Sequence, residues 1–201
     1  MNLFVIADAI TWSALLLSLI AAAVLSILAA RQPRRGFVWF ATGSLGIAML
    51  AAATTHGEAP IGLAPLVVVL GLATAVFGGS AAAGTALDLA MGSAVSPGLH
   101  GGIIVTDRRV DADAAAGARP VERRREVLRG GLTIGVLERI ASAGAIIAGF
   151  PEALAIVVAI KGVGRFTELE APEARERFII GTFASLIWAC AAALVVHLAI
   201  R

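Results

Sequence analysis

Residues 3–35 read LFVIADAITWSALLLSLIAAAVLSILAARQPRR, a run with one charge, Asp8, that reaches Ala30 and then meets Arg31, Arg34 and Arg35. An α-helix rises 1.5 Å per residue, and roughly 20 apolar residues cover the ~30 Å of hydrocarbon in a bilayer, so this run crosses with length to spare. No basic residue precedes it, and it is too long for the apolar core of a signal peptide. It reads as an uncleaved membrane anchor closed by arginines.

The same alternation continues along the chain. The 201 residues are 59% hydrophobic and only 15% charged, and the mean hydropathy is +0.90, which excludes an ordinary soluble domain. Apolar runs near 3–30, 36–54, 61–92, 131–150, 151–166 and 178–200 predict six transmembrane helices in one all-α domain. Membrane strands are excluded, because the runs are long, rich in Ala and Leu, and lack two-residue alternation.

Charge orients the bundle. Of the 16 lysines and arginines, all but Arg139 and Arg201 fall in three joints: Arg31–Arg35, the loop 93–130, and Lys161–Arg177. The joints His56–Pro60 and Gly149–Glu152 hold none. Basic joints are retained on the cytoplasmic side, so this pattern predicts a multi-pass plasma-membrane protein with both chain ends outside. The basic residues mark orientation, and no nucleic-acid partner is expected. The lone Cys190 excludes an internal disulfide.

Rows of small residues four apart let helices approach closely where lipid provides no hydrophobic drive. Such rows are Ala14-Ser18-Ala22-Ser26-Ala30, Gly71-Ala75-Gly79-Ala83 and Gly181-Ser185-Ala189-Ala193. In the basic loop, Gly102–Thr106 has the composition of a short strand, and Pro120 is placed to open a polar helix running through Val127 into the fourth span. Arg123, Arg124, Arg125 and Arg129 are a topological anchor or a contact to anionic lipid headgroups.

Charges within spans are expensive and need partners or water. Asp88, Glu138, Arg139, Lys161 and Arg165 fall at similar depth near the basic joints and form an expected inner charge cluster. Glu138 and Arg139 point about 100° apart on one helix, so they face different neighbours. Toward the other surface, Asp8 and His197 are a candidate proton relay. The scattered histidines and the lack of a paired-carboxylate or glycine-rich phosphate motif lead us to expect no metal and no cofactor.

Several residues also carry a resemblance. Ile134-Gly135, Glu138-Arg139, Lys161, Arg165-Phe166, and Arg177 before Ile180-Gly181-Thr182 and Ser185 resemble the membrane-embedded tail of an uncharacterised family of small bacterial membrane proteins. It covers about the last seventy residues, and Gly162 stands where a hydroxyl residue is expected. The resemblance implies a shared charged core and no particular chemistry.

Three function classes remain. A non-catalytic partner or assembly protein, joined to another membrane protein or to its own copies, fits the small-residue faces. A small-solute or proton-coupled transporter fits the intramembrane charges. An enzyme on lipid headgroups would use Glu138 as general base and Arg139 with Lys161 or Arg165 as a phosphate clamp.

Overall fold

A computed structural model of the chain describes residues 3–32, 34–55, 59–91, 103–107, 123–127, 131–165 and 172–201. Each apolar run is a helix: α1 (Leu3–Arg31), α2 (Arg35–Thr54), α3 (Leu63–Met91), α4 (Gly131–Ile147), α5 (Ala153–Arg165) and α6 (Pro172–Ala199). Four of these, α1, α2, α3 and α6, are long and apolar enough to cross a membrane.

The other two are shorter than the sequence suggests. Helix α4 has 17 residues and α5 has 13, or about 25 and 20 Å of rise. The cause is local. Gly149 adopts φ +77°, its N–H bonds to the Ile146 carbonyl, and the Phe150 N–H reaches back to Ala145 O at 2.8 Å. That is a Schellman stop, with Pro151 next in sequence to prevent continuation, so the chain reverses into a helical hairpin.

Helices α3 and α6 run antiparallel at the centre. Gly71, near the start of α3, lies under Val196, near the end of α6, and Gly78 lies under the Trp188 indole. A Cβ at either glycine would overlap the α6 side chain. The Trp188 indole N–H also donates to Thr74 O at 2.9 Å, so the indole's polar end is satisfied away from water. The paired glycines therefore serve as a contact surface within an unbroken α3. Helix α1 packs on α2 and α3, where Leu15, Leu19 and Val67 are fully buried. Helix α4 packs on α3 and α6, and α5 lies chiefly against α4.

Hydroxyls inside this bundle mostly turn back on their own helix. Ser18 donates to Ala14 O at 2.6 Å, and Thr74 to Leu70 O at 2.8 Å. Such back-bonding removes the penalty of a free donor in hydrocarbon.

The basic loop contradicts one expectation. Arg123–Val127 is a strand, β2, paired antiparallel with β1 (Ile103–Asp107), with Ile103 opposite Val127 and Asp107 opposite Arg123. The polar helix expected from Pro120 through Val127 is replaced by strand over Arg123–Val127, and α4 begins at Gly131. The β-branched Ile103-Ile104-Val105-Thr106 run favours the extended state, and a strand needs a partner for its backbone groups. The two-stranded ladder stands apart from an otherwise helical architecture. The remaining loop readings, Arg129 included, lie outside the described residues.

Candidate functional site

Glu138 and Arg139 occupy the middle of α4 and diverge as successive helical residues must. Glu138 faces α5, where its Oε2 accepts a hydrogen bond from Lys161 Nζ in an ion pair. The two side chains are 12% and 17% exposed. The Lys161 ammonium also sits 5.7 Å from the centroid of the Phe178 ring on α6, within cation–π range.

Arg139 faces the other way, into the bundle. It is 4% exposed, and its Nη1 donates to Ser185 Oγ on α6 at 3.0 Å. The side chain fits because α3 and α4 leave space for it. A Cβ at Gly79 would overlap Arg139 Cδ, and one at Gly135 would come within 3.2 Å of Nη1. Gly79 therefore has a function beyond close packing: it admits a guanidinium between helices.

These side chains line one cavity of about 350 Å³ between α3, α4, α5 and α6. Its walls include Ser80, Gly84 and Leu87 from α3, Gly131 and Gly135 from α4, and Gly181 and Thr182 from α6. Arg177 of α6 also enters the wall. Three polar atoms at the site are buried with no partner among the described residues: Glu138 Oε1, Arg139 Nε and Arg177 Nε. Buried polar atoms are normally satisfied, so two idle cationic donors beside a cavity are an unmet demand for an acceptor. Among the described residues that line the cavity, three cations stand against one carboxylate.

A second cavity adjoins the first. It holds about 410 Å³ between α4 and α5 and shares Ile134, Glu138 and Lys161 with the polar one. Its other lining residues, Leu137, Ala141, Val157, Ile160 and Gly164, carry no polar side chain.

The expected charge cluster is thus assembled in part. Glu138 and Lys161 meet, and Arg139 stands beside them facing α6. Asp88 does not join. Its carboxylate pairs with Arg35 at the start of α2, at 3.6 Å and with both side chains well exposed. The reason is helical phase: Leu87 turns to the cavity, and the next residue turns about 100° away. Arg165 ends α5, and Arg123, Arg124 and Arg125 lie in β2, with their side chains outside the description. Asp8 and His197 are not joined by a hydrogen bond or ion pair. Asp8 is exposed on α1, and His197 is half-buried in the last turn of α6.

Sequence reasoning left Arg177 and Ser185 out of the cluster, and Gly79 and Gly135 out of its walls. One signal was available: Arg177, Gly181 and Ser185 are spaced by four and so share one face of α6. Compared with protein-family models, curated proteins and solved structures, the chain finds no match.

Proposed function

We propose that this protein binds an anion within the membrane, in the cavity walled by Arg139, Lys161 and Arg177. The observation that carries this reading is the pair of buried guanidinium Nε atoms, on Arg139 and Arg177, that have no partner among the described residues, at a cavity where the one carboxylate among the described lining residues is already tied to Lys161. Guanidinium groups are the preferred receptors for carboxylate and phosphate oxygens, and low dielectric strengthens that attraction.

Assembly with a partner has less support. The small-residue rows on α3 and α6 are consumed inside the bundle, under Val196, Trp188 and Arg139, and so are not free for another protein. The headgroup-enzyme reading needs Glu138 as a free base, whereas one of its oxygens is held by Lys161.

The setting we propose is a bacterial plasma membrane crossed six times, with the basic joints cytoplasmic and both ends outside. The Arg35–Asp88 pair supports placing the start of α2 and the end of α3 at one surface. Helices α4 and α5 cross as a short hairpin. Exposed Glu152 in its turn favours a position at the far headgroups, with local thinning of the bilayer absorbing the missing length. The cavity then opens toward the cytoplasmic surface, because it is lined by Ser80 to Leu87 toward the end of α3, Lys161 near the end of α5, Gly131 to Arg139 from the start of α4, and Arg177 to Ser185 in the first half of α6.

Thermal unfolding of the purified protein in detergent tests the anion site. Inorganic phosphate should raise Tm above a sodium chloride control at equal ionic strength, since a ligand at 100 times its Kd adds about 2.7 kcal/mol to folding stability. The rise should vanish in Arg177→Gln. An identical response in wild type and variant, or none in either, would remove the reading.

A further inference from the structure

The polar and apolar cavities share a wall, and that continuity selects a ligand class. We propose that the site takes a phospholipid ending in a phosphate monoester, with its phosphate in the cationic cavity and one acyl chain in the groove between α4 and α5; this rests on the anion-binding reading above.

Three observations converge on it. The first is charge: among the described lining residues, Arg139, Lys161 and Arg177 against Glu138 leave a net of two positive charges, which complements the −1.5 to −2 of a phosphate monoester near neutral pH. The second is shape. Ile134, Leu137 and Ala141 follow one another along one face of α4, and Val157, Ile160 and Gly164 follow along α5. The groove therefore runs along the helix axes for about 10 Å, in the direction acyl chains take in a bilayer. The third is polarity along that direction. Arg177 and the Gly131 end of α4 lie at the cavity end, whereas Ala141 and Val157 lie deeper. A lipid of the adjacent leaflet has its headgroup and its chain in the same order.

The groove also bears on how α5 is packed. It packs chiefly on α4, and Ile156, Ile160 and Val163 remain exposed. An acyl chain between the two helices would fill space that no side chain fills.

Equilibrium binding to the purified full chain in detergent tests this, using radiolabelled dioleoylphosphatidate, dioleoylphosphatidylcholine and inorganic phosphate as separate probes. Dioleoylphosphatidate should bind saturably and at least tenfold more tightly than either of the others. Ala141→Phe fills the groove and should weaken dioleoylphosphatidate by about tenfold while leaving inorganic phosphate within twofold, which also shows that the variant is folded. Val157→Trp serves the same purpose from α5. Arg177→Gln should weaken both phosphate probes. If inorganic phosphate binds as tightly as dioleoylphosphatidate, the lipid assignment fails and the anion site stands. Equal binding of the two lipids would also overturn the assignment, as nonselective detergent-like occupancy. If no probe binds, both readings fall together.

Discussion

The ion pairs Arg35–Asp88 and Glu138–Lys161 each join two helices near the same end of the bundle, yet they are built differently. The first is separated by 3.6 Å, and its side chains are 55% and 43% exposed. The second is 12% and 17% exposed, has a neighbouring ring over its ammonium, and leaves one carboxylate oxygen without a partner. Water or headgroups can screen the outer pair. Nothing comparable screens the inner one, so its two charges depend on each other. The difference separates a contact that decorates an edge from one that forms the wall of a site.

Reversing one charge of the inner pair is the sharpest way to break that contrast. Glu138→Lys places two cations together in a buried setting, already beside Arg139 and Arg177. We expect a loss on the order of 3–5 kcal/mol, the usual cost of leaving a buried charge unpaired, seen as failure to accumulate in the membrane. Adding Lys161→Glu should restore most of the accumulation, because the pair is re-formed in reverse. No rescue would mean that the two residues are adjacent without being coupled.

The second contrast is between glycines. Gly79 borders Arg139 and the Ser185 backbone, whereas Gly43 on α2 has nothing within 4 Å of where its Cβ would lie. Gly79→Ala should therefore cost about 1–3 kcal/mol as overpacking, and it should also displace Arg139 from the cavity. Gly43→Ala should be neutral or slightly stabilising, since it removes backbone freedom from the unfolded chain without meeting a neighbour. Unfolding in mixed micelles compares them. Equal effects would show that α3 and α6 are not packed through Gly79.

The sequence made the helices legible because hydrocarbon imposes long apolar runs; α1, α2 and α3 end close to where composition changes, whereas α6 begins at Pro172, six residues ahead of the apolar run expected from 178. It was less informative at α4 and α5. The joint Gly149–Glu152 is legible, but hydropathy carries the flanking runs to residue 150 and from residue 151, whereas the left-handed Gly149 ends α4 at Ile147 and α5 starts at Ala153, and that geometry depends on φ and not on hydropathy. In the loop, Arg123-Arg124-Arg125 gave no sign of pairing with Ile103–Asp107, because strand partners are chosen across the intervening chain. Within the site, azimuth was not readable: a turn of 100° from Leu87, which lines the cavity, sends Asp88 toward Arg35 and away from Glu138. Arg177 was read as a loop charge because it begins the apolar part of α6, and only the packing of α6 against α3 and α4 brings it to the cavity.

The outer pair provides the smallest and most selective test. Arg35→Gln removes one charge from a pair that is more than two-fifths exposed on each side, so its effect on stability should be about 0–1 kcal/mol and should shrink further as salt is added. Asp88 is left with access to water or headgroups, unlike Lys161 after loss of Glu138, and no rescue by a charge swap is needed. The cavity wall at Leu87 is unaffected, so inorganic phosphate should shift Tm in Arg35→Gln as it does in the wild type. A large, salt-resistant destabilisation would show that Arg35 and Asp88 sit deeper in the hydrocarbon than their exposure implies. The bundle would then have to be moved along the membrane normal, bringing the cavity closer to the bilayer midplane.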